Sequence, residues 1–275
     1  MATLAALIKD LAVLVGAVEL EGVATAGSTT TLTDNITLGG YADDTFNNLR
    51  LYIYEGTALG QDRRITDHTG STGILTFPTG TAPTTSSKYI ILKDGWNPLR
   101  LRTALINALR QRRRFLLKPK VDESLTILTG PTYAYTVPTG FAAIQKVYRE
   151  DTVGGGLFTS PIPEDYWYIN RAATRQIVFE KVAQDRDPFL LTGAKLRLIG
   201  QAYETEPTAD SDTITVQMGS LILFAAVTAL LSTLAMDPTN ARRATAQASM
   251  LLQEFQRTWQ QDVTPIWPNS KVVDE

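Results

Sequence analysis

Along the first eighteen positions, apolar residues recur at Leu4, Leu7, Ile8, Leu11, Val15 and Val18, which is helical spacing on one face. So much of this stretch is Ala, Leu and Val that the helix wants neighbours on more than one side. From Leu20 to Asp94 the pattern changes to Thr, Gly, Ser and alternating apolar positions. Thr29–Leu32, Leu49–Tyr54 and Lys88–Leu92 read as strands, with Gly39-Gly40, Gly56, Gly60, Gly70 and Gly73 marking turns. Asn97-Pro98 then opens a helix, because Asn caps well and Pro is tolerated at the first helical position. Leu101, Leu105, Leu109 and Leu116 form its stripe, and the pattern carries it to Lys118-Pro119.

Residues 121–215 return to strand-like runs, of which Gln176–Phe179 and Lys195–Ile199 are the clearest. Two helices follow. The first, Val216 to Met236, is uncharged and reaches membrane-spanning length, but its polar residues and lack of flanking cations favour a buried helix. The second starts at Asp237-Pro238, and its stripe runs Ala241, Ala244, Thr245, Ala248, Leu251, Leu252, Phe255, Trp259.

The expected fold is therefore α+β: a helical bundle assembled from N-terminal, central and C-terminal helices, with β-rich modules inserted between them. The expected parts are a helix at 1–20, a β-rich module at 21–94 and a basic helix at 95–120. A second β-rich region at 121–215, two bundle helices at 216–262 and an extended arm at 263–275 complete the chain.

Composition narrows the chemistry. The chain has 275 residues, a net charge of -2, no cysteine and one histidine, His68. Thiolate metal sites, multi-histidine metal sites and disulfides are excluded. Asp43-Asp44, Glu164-Asp165 and Asp210-Ser211-Asp212 pair their acids in turn-like contexts, where Asp bends and caps chain. Gly154-Gly155-Gly156 lacks the strand-to-helix setting of a nucleotide loop. The expectation is a protein that is not an enzyme and has no cofactor and no metal.

Charge has one local outlier. Between Asp94 and Asp122 there is no acid, while Arg100, Arg102, Arg110, Arg112, Arg113, Arg114, Lys118 and Lys120 add eight cations. Exposed helices usually intersperse both signs, so this stretch calls for anions: DNA phosphates or acids of a neighbouring subunit. Arg112 falls within the leucine stripe, which suits a cation buried and paired inside the fold. At the C-terminus, Pro265, Ile266, Trp267, Val272 and Val273 form an apolar, proline-stiffened segment. It is folded back on its own bundle, simply disordered, or an extended arm that anchors in a neighbour.

Two segments carry a resemblance. Gly60–Phe77, with the lead-in Gly40–Leu51, resembles a β-hairpin signature of tailed-phage virion proteins. Leu198–Tyr203 followed by Thr208–Thr213 and an apolar helix looks like phage head-to-tail adaptors. The resemblance implies a structural virion protein at the neck: a ring of twelve copies under the portal, joining capsid to tail and surrounding the DNA channel. It would be made in the host cytoplasm, with no membrane role. Implied partners are further copies of the chain, the portal protein, a downstream tail or nozzle protein, and genomic DNA in the channel. Arg100, Arg102, Arg110, Arg113, Arg114 and Lys118 would then face DNA or a neighbour, and the 265–273 arm would dock on the portal. The alternative is another neck or tail-tip part, a stopper or a module that binds host-surface glycans.

Overall fold

The computed structural model describes residues 2–128, 133–170, 174–180, 191–215, 218–234, 241–262 and 271–272. They fall into two compact units: Met1–Arg112 with Thr205–Val263, and Arg113–Glu204 with Thr264–Glu275.

In the first unit, helix α1 (Leu4–Leu14) begins where the Thr3 hydroxyl accepts the Ala6 amide at 3.2 Å. It buries Leu4, Leu7, Ile8 and Leu11 and ends at Gly16, whose φ of +69° favours a residue without Cβ. The expected apolar stripe is cut short there, and Val18 opens a strand. Helix α2 (Pro98–Arg112) starts as the sequence suggests, with Asn97 Oδ1 accepting the Arg100 amide at 2.8 Å. Helices α3 (Met218–Leu234) and α4 (Ala241–Asp262) pack on each other, and α3 also meets α1 and α2. Ala244, Ala248 and Phe255 of the expected α4 stripe are buried, but Leu252 is exposed. Asp237 and Pro238 lie outside the described residues.

Between α1 and α2 the chain builds two four-stranded antiparallel sheets. One runs Val18–Val23, Lys88–Leu92, Arg50–Glu55, Asp62–Arg64; the other runs Ala26–Gly27, Thr31–Thr33, Ile74–Thr76, Asp67–Thr69. They enclose a core that includes Leu32, Phe46, Leu51, Ile65, Leu75 and Tyr89. Strand Arg50–Glu55 packs directly on α1.

The second unit has a five-stranded sheet. Leu117–Thr126 pairs with Lys195–Tyr203, which pairs with Phe141–Arg149, and that strand pairs with both Pro161–Ile162 and Lys271–Val272. A three-stranded sheet of Ala134–Thr136, Gln176–Phe179 and Trp167–Asn170 belongs to the same unit. Trp167, Phe141, Ile144, Val147, Phe179 and Leu198 are among its core residues.

The expected helical bundle with inserted β modules is thus wrong. Among the described residues five sheets, the fifth a pairing of Ala2–Thr3 with Thr213–Ile214, make the protein mostly β, at 34% strand against 25% helix, with four helices. Runs that look like isolated short strands find partners far away in sequence, and the second β region owns a core. Helix α2 is also shorter than expected, because the chain from Leu117 becomes a strand. Three adjacent arginines repel at the helix end, and Pro119 holds Lys118 away from helical dihedrals. Pro119 has no N–H to donate, and it sits on an edge strand, where that costs least.

Candidate functional site

The cationic stretch was the strongest candidate in the sequence, and the structure gives three of its eight cations, Arg102, Arg110 and Lys118, an acid on the same chain. Residues 204–212 hold Glu204, Glu206, Asp210 and Asp212, four acids in nine residues. In the first unit, Arg110 Nε donates to Glu206 Oε2 at 2.8 Å, and that carboxylate holds the exposed guanidinium above its ordinary pKa. Arg102 lies 3.3 Å from Asp210 and donates to the carbonyl of Thr208. The segment is shaped by Asp212, whose carboxylate accepts the amides of Thr208 at 2.7 Å and Ala209 at 2.9 Å. Those bonds, the Ala209 amide above all, hold the Asp212 carboxyl below its ordinary pKa.

Asp210 also meets the first β module. The buried Tyr52 hydroxyl lies against it, and its pKa is driven up by burial first and by the Asp210 charge second. Gly60, at φ +80°, packs so closely that a Cβ there would collide with the Asp210 carboxylate. This accounts for the glycine that opens the hairpin signature.

The remaining cations of α2 are held by rings and carbonyls. Arg100 stacks 4.8 Å from the Trp96 ring centroid and donates to Gly95 and Ala229 carbonyls; burial lowers its pKa. Arg112 lies 4.3 Å from Phe224 and 5.2 Å from Phe255, which agrees with its place in the stripe. In the second unit, Lys118 is a strand residue, 2.6 Å from the buried Glu204 carboxylate. Arg113 stacks on Tyr203 at 4.8 Å, and Lys120 lies 4.7 Å over Phe141. Arg114 is exposed, without an ion pair or ring contact among the described residues.

The hairpin is formed: Asp67–Thr69 pairs with Ile74–Thr76 around a turn at Gly70–Gly73. Its lead-in straps across it. Asp43 Oδ1 accepts the Gly70 amide at 2.7 Å, the Asp44 amide donates to the His68 carbonyl at 2.9 Å, and Phe46 packs edge-on to His68 at 4.8 Å. The acids flagged at 43 and 44 therefore serve turn geometry, with Asp44 at φ +66°. Glu164 and Asp165 lie in a single 3-10 turn. No group of three or more acids and histidines is placed to hold a metal among the described residues. No described helix is long and apolar enough to cross a membrane.

Of the C-terminal arm, Pro265, Ile266, Trp267 and Val273 lie outside the described residues. The backbone of Lys271–Val272 pairs antiparallel with Ala143–Ile144. Lys271, which sequence reasoning passed over, donates to the carbonyls of Glu164 (2.9 Å) and Trp167, and lies 4.8 Å over the Trp167 ring. A lone cation between Ser270 and Val272 gave no signal of an aromatic partner 104 residues away. No protein-family model matches the chain, and no curated protein matches it significantly.

Proposed function

We propose that this chain is a structural subunit of a tailed-phage neck, a head-to-tail adaptor that assembles as a ring beneath the portal. The observation that carries this reading is the strapped hairpin at residues 40–77, whose signature residues hold one another rather than line a catalytic cleft. Asp43 fixes the Gly70 turn, and Gly60 lets the module close on Asp210. Twelve copies is the number in the adaptors that the chain resembles.

Self-neutralisation changes the role of α2 within this reading. A subunit that supplies acids for Arg102 and Arg110 neutralises two of the cations that the genome would otherwise meet, which suits a channel that must let DNA slide. The test is negative-stain imaging of the purified full chain with its portal protein. Rings stacked on the portal are expected; a mixture with no ring and no portal-bound density overturns the proposal.

A further inference from the structure

We propose that the edge of strand Val18–Val23 is a docking site for an extended, lysine- or arginine-bearing segment of another protein, which adds to the sheet as a strand. This inference is independent of the neck reading.

Among the described residues the strand pairs on one side only, with Lys88–Leu92. The register decides which groups face outward. Ala24 donates to the Ser87 carbonyl at 2.9 Å, and Gly22 lies opposite Tyr89. In an antiparallel ladder the hydrogen-bonded pairs alternate, so the N–H and C=O groups of Glu21 and Val23 point away from the sheet. Two residues further on, the same outer edge is occupied: the Thr25 amide donates to Thr33, and Ala26–Gly27 pairs with Leu32–Thr33. The chain then turns away at Asp34, which is held by the Tyr89 hydroxyl at 2.8 Å and by the Ile36 and Thr37 amides. Pairing along this edge therefore starts at Thr25 and leaves Glu21 and Val23 open.

Beside the open stretch is a groove of about 540 Å³, with Glu21, Gly22 and Val23 on one bank and Asp34, Ile36 and Thr37 on the other. Ile36 is 82% exposed and Val23 46%, so an apolar side chain entering between them would remove both from water. An unpaired edge bordered by a groove with exposed apolar side chains is the geometry by which sheets capture extended peptides; Tyr54 and the Glu55-paired Lys88 also line this one.

Charge selects the occupant. Glu19 and Glu21 project from the edge strand, with Asp10 and Glu55 nearby, while Lys9 and Lys88 already pair with Glu21 and Glu55. The excess is acidic, so the complementary strand carries cations at alternate positions around an apolar residue. A second copy of this chain is a poor source. Its strand with Lys118 and Lys120 commits both amines, to Glu204 and to the Thr139 carbonyl, and interrupts its own edge with Pro119.

The test uses the full chain and a short blocked peptide that alternates lysine and valine, titrated by calorimetry. Binding is expected, and N-methylation of alternate peptide amides should abolish it. Val23→Pro removes an outward N–H that no described residue accepts, and should weaken binding about tenfold or more while the thermal transition is kept. Should that variant not fold, Ile36→Lys provides the same reading from the other bank. Equal affinity for the methylated peptide, or no binding at about 1 mM, overturns the proposal. Self-association of the chain that Val23→Pro dissolves would also overturn it, because the occupant would then be a second copy.

Discussion

The two β regions of this protein keep their shape by different means. In residues 18–92 the strands are mostly three to six residues long, and the connections between them are fixed by side chains. Buried Asp34 gathers the Tyr89 hydroxyl and two amides, buried Ser87 donates to the Thr57 carbonyl at 2.6 Å, and Asp43 holds Gly70. In residues 113–204 the three principal strands run nine or ten residues, and long ladders and an aromatic core do more of the work. Short strands bury too little to set their own register, so they depend on polar keys. Long ones set it by repetition, and they tolerate bulges such as the shift between Asp122 and Leu125.

The most severe test of this contrast is Trp167→Ala, which empties the core of the second unit. A loss of about 3–5 kcal/mol is expected there. Hydrogen exchange should show lost protection in Phe141–Arg149 and Lys195–Tyr203 while Arg50–Glu55 stays protected. Simultaneous loss in both would mean that the two units do not fold separately. Next, Asp34→Ala should cost the first region about 2–3 kcal/mol by orphaning the Tyr89 hydroxyl and two amides. Chemical denaturation would measure it, and a cost near zero would deny that polar keys hold the short strands.

The second region has one such key of its own. Glu150 is sealed from solvent and accepts the amides of Gly156 at 2.7 Å and Lys195 at 3.0 Å, so its carboxyl is held below the ordinary glutamate pKa. A depressed carboxyl contributes stability that is present above its unfolded pKa, about 4.3, and is lost as pH falls through the folded value. Thermal melts of the second unit should therefore fall with acid below about pH 5, and Glu150→Gln should flatten that slope. The smallest effect is expected for Arg110→Ala. Its pair with Glu206 is exposed, and melting curves with and without it should coincide in physiological salt.

Much of this fold could be read from local pattern. The Asn97-Pro98 start of α2, most of the strand at 50–55, those at 88–92 and 176–179, the first half of the one at 195–203, and the Gly70–Gly73 hairpin all depend on neighbouring residues. What could not be read depends on pairing across long separations. The eight cations of 100–120 looked uncompensated because Glu204, Glu206 and Asp210 stand roughly a hundred positions away, in a segment whose acids look like turn formers. The early end of α2 is hidden for the same reason: Leu117–Thr126 turns extended because Lys195–Tyr203 offers it a ladder. Periodicity reports which face of an element is apolar and says nothing of which strand arrives to cover it. The bundle expectation failed on this point.

The 205–212 segment also bears on how the protein is made. Besides meeting Arg102 and Arg110, it supplies carbonyls for the first turn of α1: the Leu4 amide donates to Asp212 at 2.9 Å and the Ala5 amide to Asp210 at 3.1 Å. Helix α1 thus waits for about two hundred further residues before its N-terminus is satisfied, on the order of 10–40 s of synthesis. During that interval residues 113–204, which lie between the two halves of the first unit, emerge and can pair among themselves. A released chain truncated before residue 205 should have a protease-sensitive α1 and an already resistant sheet at Leu117–Tyr203.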